Sequence, residues 1–230
     1  MAKNNANELL DFLSSLAENN NKEWMDANRN WYLSVKEAFL EDVAFMLKEA
    51  SILDPAISLL TPKDCIFRMN RDVRFSPNKA PYKSNMSAYF AAGGKKSMGP
   101  GFYVHIQPGE SFVGGGIYMP PADILKKIRK EIDYSGAQLE QIIQEPEFTK
   151  TFGSIEGDQL KNSPKDYATD HPYIELLKYK SFVASAPLSD QSIRSGKYLE
   201  QSVETFRTMK PFYDFLKMAV EEVEDGSDLL

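Results

Sequence analysis

The sequence predicts an α+β fold, a largely antiparallel sheet of about four to five strands with N-terminal and C-terminal helices packed on it. Three observations carry that expectation. Apolar residues recur at helical spacing up to about residue 50, switch to a period of two between Cys65 and Met119, and return to helical spacing after Pro120-Pro121. An antiparallel sheet with one face on a core shows this alternation. No internal repeat and no clear linker interrupts the pattern, so residues 1–230 are expected to form a single domain.

Two helices open the chain. Asn5-x-x-Glu8 and Asn20-x-x-Glu23 each have the form of a capping box, with Asn in the place of Ser or Thr. Leu9, Leu13 and Leu16 stripe the first helix. Trp24, Trp31, Val35, Phe39, Val43 and Met46 stripe the second, which should end near Glu49 or Ala50. After Pro55 and Pro62, Cys65, Phe67 and Met69 alternate with Ile66, Arg68 and Asn70 in a first strand running toward Phe75. Met86, Ala88 and Phe90 then alternate with Ser87 and Tyr89, and Phe102, Val104 and Ile106 with Tyr103, His105 and Gln107. Val113, Ile117 and Met119 alternate with Phe112 and Tyr118. Pro108-Gly109 marks a hairpin turn, because Pro fixes φ and Gly tolerates positive φ. Gly114-Gly115-Gly116 is read as a bulge or a tight crossing.

Helical spacing returns in Ile124, Leu125, Ile128 and Ile132, and again in Leu139, Ile142 and Ile143. Asp170-His171-Pro172 should open a short helix through Lys178, with Asp170 as its N-cap. Ser181 to Ala186 reads as a fifth strand. Phe206, Met209, Tyr213, Leu216, Val220 and Val223 make a last stripe, which Pro211 should kink or split.

Composition narrows the function classes. The hydrophobic share of 42% and charged share of 26% are those of a globular chain. One cysteine, Cys65, leaves no disulfide framework, and with only His105 and His171 no classical zinc or copper site is expected. No apolar run approaches the ~18 residues of a membrane span, and no secretory pattern follows Met1, so a cytoplasmic protein without a membrane partner is expected. The net charge of −6 argues against a general nucleic-acid coat protein. That charge is uneven. Between Thr61 and His105 stand Lys63, Arg68, Arg71, Arg74, Lys79, Lys83, Lys95 and Lys96, against Asp64 and Asp72 alone.

The densest part of this basic island is Phe67-Arg68-Met69-Asn70-Arg71-Asp72-Val73-Arg74-Phe75-Ser76-Pro77-Asn78-Lys79-Ala80-Pro81-Tyr82-Lys83. The run resembles the signature of the DUF2461 family. Four other places agree: Asn19 through Trp24 with Asn28, Arg29 and Tyr32; Tyr103 through Ile106 with Pro108-Gly109; Phe112 through Gly116 with Tyr118; and Asp170-His171-Pro172 followed by Glu175 through Lys178. Met25 stands where the resemblance leads one to expect an aromatic residue, a difference of packing rather than chemistry. The resemblance implies a domain and no established activity, so the residues must speak for themselves.

If the first strand runs to Phe75, Arg68, Asn70, Asp72 and Arg74 share one face, while Arg71 stands among apolar neighbours and needs a buried acceptor. Ser76-Pro77-Asn78 turns the chain and returns Lys79 and Lys83 toward the arginines. Two readings follow. Arg68, Arg71, Arg74, Lys79, Tyr82 and Lys83 form a cradle for a phosphate, carboxylate or sulfate, since guanidinium forks donate paired hydrogen bonds to such groups. Alternatively, the same bases clamp acidic helices to the sheet. Parity puts Tyr89, Tyr103, His105, Gln107 and Tyr118 on the face of Arg68, a polar aromatic floor where His105 is the group able to move protons near neutral pH. The leading expectation is therefore a small anionic ligand. An enzyme using His105 as acid or base, and a protein- or nucleic-acid-binding module on the same patch, are the alternatives. No cofactor is expected, and the residues leave open both catalysis and oligomeric state.

Overall fold

The structure, a computed structural model, describes residues 5–221. In chain order it contains α1 (Asn5–Glu18), α2 (Lys22–Ala27), α3 (Arg29–Leu53), α4 (Pro62–Cys65), β1 (Met86–Phe90), β2 (Gly101–Ile106) and β3 (Phe112–Ile117). There follow α5 (Ala122–Gln144), α6 (Pro146–Phe152), α7 (Ile174–Leu177), β4 (Phe182–Pro187), α8 (Asp190–Arg194) and α9 (Tyr198–Val220). The strands form one open antiparallel sheet in the order β1-β2-β3-β4. The fold is α+β, and β4 is the strand foreseen at Ser181 to Ala186. No helix of the described residues is long and apolar enough to cross a membrane. The chain divides into two compact units, one holding Phe102–Gly114, Ser185–Arg207 and the residues up to Ser97, the other Met98–Gly101, Gly115–Ala184 and the residues from Thr208.

In the first unit, the stripe of α1 is buried as Leu9, Leu10, Phe12, Leu13 and Leu16, facing Val35, Phe39, Val43 and Met46 of α3. The Phe12 ring meets Trp24, Trp31 and Tyr32 at 5.3–5.9 Å, and Met25 is buried where an aromatic residue was expected. β1 and β2 pair in the register Met86↔Ile106, Ser87↔His105, Ala88↔Val104, Tyr89↔Tyr103 and Phe90↔Phe102. Met86, Ala88, Phe90, Phe102, Val104 and Ile106 are all buried, and Phe206 of α9 lies 4.8 Å from the Phe102 ring and 5.6 Å from Phe90. Burial of each of these side chains other than Ala88 stabilises the fold by roughly 1.5–3 kcal/mol. The core face thus fixes which residues the opposite face presents: Ser87, Tyr89, Tyr103 and His105.

The second unit has its own core of Ile128, Ile132, Leu139, Phe148 and Phe152, with Phe148 edge-on to Phe212. Gly136 is required in α5, because a Cβ there would lie 2.2 Å from the Tyr173 ring. Arg129 terminates α7 by donating from Nε to the Leu177 carbonyl at 2.8 Å and from Nη2 to Tyr179 at 3.2 Å. Of the three glycines in β3, Gly116 has φ +113°, and a Cβ on it would stand 2.0 Å from the Phe182 carbonyl oxygen. That is a tight crossing, with no room for a side chain.

Several expectations are corrected. Residues 65–75 are not a strand: α4 ends at Cys65, and only the isolated bridges Ile66↔Ala88 and Asn70↔Tyr82 follow. The second helix is two helices, broken at Asn28, and the longer one runs to Leu53 rather than Glu49 or Ala50. The cap of α2 is Asn21, whose Oδ1 accepts from Trp24 N at 2.8 Å, not Asn20. α7 starts at Ile174 behind Tyr173, so Asp170 caps nothing. Pro211 does not split α9, because burial of Phe206, Met209, Phe212, Tyr213, Phe215 and Leu216 outweighs one lost backbone hydrogen bond. Val223, the residues before Asn5 and the Asn5 side chain lie outside the described residues.

Candidate functional site

The basic motif is a closed loop. Lys83 N donates to the Met69 carbonyl at 2.8 Å, and Arg71 N donates to Pro81 at 2.9 Å. Two backbone bonds therefore bring residues 69–71 and 81–83 side by side, so Arg68 and Lys83 become neighbours although fifteen positions separate them. The base of the loop is tied elsewhere as well. The Asn20 amide donates to the Tyr82 carbonyl and accepts from the Tyr82 N–H, both at 3.0 Å, in the manner of a strand partner. Phe67 N donates to Ser87 O at 3.0 Å and anchors the start of the motif on β1.

Inside the loop, three of the five bases are spent. Half-buried Arg71 donates from Nη1 to the Ala80 carbonyl at 3.1 Å and from Nη2 to Ser76 Oγ at 3.4 Å. Both acceptors lie in the loop itself and are neutral. Arg74 grips both oxygens of Asp72 with Nε at 2.9 Å and Nη2 at 2.7 Å, in solvent. Lys79 Nζ donates to the Val73 carbonyl at 3.1 Å. Tyr82 contributes through its backbone. Phe75, foreseen on an apolar face, is 91% exposed at the tip.

The other two bases behave differently. Arg68 is exposed and makes no hydrogen bond or ion pair with the described residues; Asp72, a carboxylate its charge acts on, is held by Arg74. Lys83 is half-buried, with Nζ 5.2 Å from the centre of the Phe67 ring. Burial first, and the Arg68 charge second, hold its ammonium below the usual lysine range.

Beside this pair lies the polar face of the sheet. Tyr103 Oη stands 3.1 Å from His105 Nδ1, and His105 Nε2 stands 3.2 Å from Gln107 Oε1. The Gln107 amide nitrogen in turn donates to Glu110, which leaves its oxygen toward the imidazole. His105 therefore carries its proton on Nε2, and bare Nδ1 accepts from the Tyr103 hydroxyl. Ser87 hydrogen-bonds Tyr103 at the far end, so one chain runs Ser87, Tyr103, His105, Gln107, Glu110. The hairpin makes the last two members possible: Gln107 and Glu110 are the first and fourth residues of the Pro108-Gly109 turn, closed by Glu110 N donating to Gln107 O at 3.0 Å with Gly109 at φ +75°. Burial lowers the His105 pKa and Lys83 lowers it further, while Gln107 and Glu110 oppose. The net result is an imidazole less basic than a free one. Phe112 stacks on it at 4.8 Å with 13° between planes, and Phe67 packs edge-on against Tyr103 at 6.3 Å.

Tyr118 is not part of this floor; it lies past the end of β3 and is 74% exposed. His171 belongs to another arrangement, within the second unit. Its Nδ1 accepts from Tyr173 N at 3.1 Å and its Nε2 meets Asp133 at 2.9 Å, so both nitrogens are structural. Cys65 is buried, with its thiol pushed up to about 11 by desolvation. Among the described residues no group of three His, Cys, Asp or Glu side chains could hold a metal. A shallow cavity of about 530 Å³ does exist, between Phe45 and Glu49 of α3 and Glu200, Glu204 and Arg207 of α9. Its acidic lining is wrong for an anion, and Arg207 is bonded to Glu49 and Glu204 within it.

A family model described as "Conserved hypothetical protein (DUF2461)" matches residues 8–215, most of the chain and both compact units. The chain belongs to the DUF2461 family. No curated protein and no solved structure matches it.

In this DUF2461 protein, then, Arg68, Lys83, Tyr103 and His105 form one neighbourhood, whereas Arg71, Arg74, Lys79 and Tyr82 build the loop. Phe67, Ser87, Glu110, Phe112 and Asn20 belong to the arrangement and were not singled out from the sequence. Phe112 was visible by parity, since it alternates with Val113 as Tyr103 alternates with Val104. The Glu110 contribution was visible in the turn, whose ends must lie together.

Proposed function

We propose that this protein binds a small anion bearing phosphate, carboxylate or sulfate at the base of the 69–83 loop, with Arg68 and Lys83 as its counter-charges. One observation carries the reading: the Lys83–Met69 backbone bond sets Arg68 and Lys83 side by side, and neither makes an ion pair with a carboxylate of the described residues. Like charges held together cost free energy that a bound anion reverses. The guanidinium fork suits a flat carboxylate or a phosphate edge, and the ammonium adds a point charge. Tyr103 and His105 make the adjoining floor, and Arg71, Arg74, Lys79 and Tyr82 hold the loop in shape. The setting under this reading is the cytoplasm.

An enzyme with His105 as acid or base has less support, because Tyr103 and Gln107 occupy both ring nitrogens and proton transfer would first have to open the chain. A nucleic-acid or protein module has less again, because three bases of the motif are spent within it and no basic stripe results.

Thermal melts in sulfate and in chloride at matched ionic strength test the proposal. Wild-type protein should gain stability in sulfate by mass action, about 2.7 kcal/mol at a hundred times Kd. Arg68→Gln and Lys83→Met should gain only what sulfate gives any protein by exclusion from its surface. Equal gains in wild type and both variants would show bulk salt action alone and end the anion reading.

A further inference from the structure

Resting on the anion reading above, we infer that the anion is the charged end of a flat aromatic or heteroaromatic ring, a free small molecule of the class of an aromatic phosphate or a mononucleotide. The inference comes from the floor beside the two cations. Phe67, Tyr103, His105 and Phe112 are four contiguous rings, each half-buried and so each with part of its surface open to solvent. They are linked by the Phe67–Tyr103, Tyr103–Phe112 and His105–Phe112 contacts at 6.3, 5.6 and 4.8 Å. An inorganic anion would use Arg68 and Lys83 and leave these rings wet.

The polar atoms of the floor narrow the class further. Ser87, Tyr103, His105, Gln107 and Glu110 satisfy one another in a single chain of hydrogen bonds. A sugar or polyol, recognised mainly through its hydroxyls, finds few free partners there, whereas a ring recognised through its face needs none. Charge then orients it. Lys83 sits over the Phe67 ring, at the end of the floor where Arg68 lies, and Glu110 ends the hydrogen-bond chain on the other side. An anionic group is attracted to the first end and repelled from the second. The ligand therefore lies along the floor with its charge at Arg68 and Lys83.

Calorimetric titration of the full chain with inorganic phosphate, ribose 5-phosphate and adenosine 5′-monophosphate tests this, since the three add first a sugar and then a ring to one charge. The expected result is that the nucleotide binds at least about tenfold more tightly than ribose 5-phosphate, as stacking on aromatic side chains provides. Phe112→Leu, which keeps apolar bulk and touches neither cation, should remove that advantage and leave phosphate affinity unchanged. Arg68→Gln should weaken all three. If the nucleotide and ribose 5-phosphate bind alike to the wild type, the ring inference is wrong while the anion reading stands. If none of the three binds, both fall together. Oligodeoxyadenylates of increasing length form the last arm: affinity that climbs with length and drops steeply with salt would overturn a free small molecule in favour of a strand.

Discussion

The tip and the base of one loop carry the same kinds of residue and use them in opposite ways. At the tip, Arg71 and Lys79 tie the loop across to Ala80, Ser76 and Val73, and Arg74 is occupied by Asp72 in solvent. At the base, Arg68 and Lys83 lie side by side and neither forms an ion pair with the described residues. The difference is one of acceptors. A loop has many backbone carbonyls that no ladder uses, and the long cations inside it satisfy them. At the base those carbonyls are already taken by Arg71 N and Lys83 N, so the flanking cations have nothing local to bind. Clustered bases in a sequence thus divide into builders and binders according to where free acceptors lie.

Five substitutions test that contrast. The largest effect should come from Asn20→Ala, which strands the Tyr82 N–H and carbonyl together and should cost about 2–4 kcal/mol by chemical denaturation, two hydrogen bonds at once. Loss of less than the effect of an ordinary surface substitution would mean that the base of the loop is not held there. Arg71→Ala should cost about 1–3 kcal/mol, since its acceptors are neutral and partly buried, and sulfate should not rescue it. A sulfate response missing from Arg71→Ala but retained in a Ser76→Ala control would move Arg71 from builder to binder.

At the base, Lys83→Met keeps the stem against Phe67 and removes a repelled charge, so its melting temperature should equal or exceed that of the wild type. A marked drop would reveal an ion pair and cancel the contrast. Arg74→Ala, an exposed pair with Asp72, should leave the denaturant midpoint unmoved.

A further effect depends on pH. His105 has a folded pKa below its unfolded value of ~6.5, so its contribution to stability is complete above that pH and is lost as pH falls through the lower folded value. His105→Gln should flatten that part of the stability–pH curve. In NMR, sulfate bound at Arg68 and Lys83 should move the His105 titration upward, because an anion favours the imidazolium. A titration that ignores sulfate would separate His105 from the anion.

Much of the site is legible in the order of residues along the chain. The alternation of Phe102, Val104 and Ile106 with Tyr103, His105 and Gln107 assigns the two faces of β2, because a strand offers only two. Pro108-Gly109 marks the hairpin that carries Gln107 and Glu110. The same period misleads at residues 65–75: Cys65 and Met69 are buried as it predicts, but Phe67 is only half-buried and Phe75 is exposed. Period two describes a side-chain pattern; a strand also needs a neighbour along its length, and here α4 and two isolated bridges replace the ladder. Asn20 misleads in a similar way. Its spacing to Glu23 fits a capping box, but Asn21 takes the cap and Asn20 is recruited by a backbone sixty-two residues away.

By itself the sequence determined the class of fold, the order of most elements, the polar face of the sheet and the concentration of bases in one short segment. Those properties depend on spacing between near neighbours, which the covalent chain sets. Only the tertiary structure decided that Arg71, Arg74 and Lys79 are consumed by their own loop, that Met69 and Lys83 meet so that Arg68 gains a neighbouring cation, and that Phe67 and Phe112 complete a floor with Tyr103 and His105. Each of these rests on which donor reaches which acceptor after the chain has closed on itself, and spacing along the chain does not encode that choice.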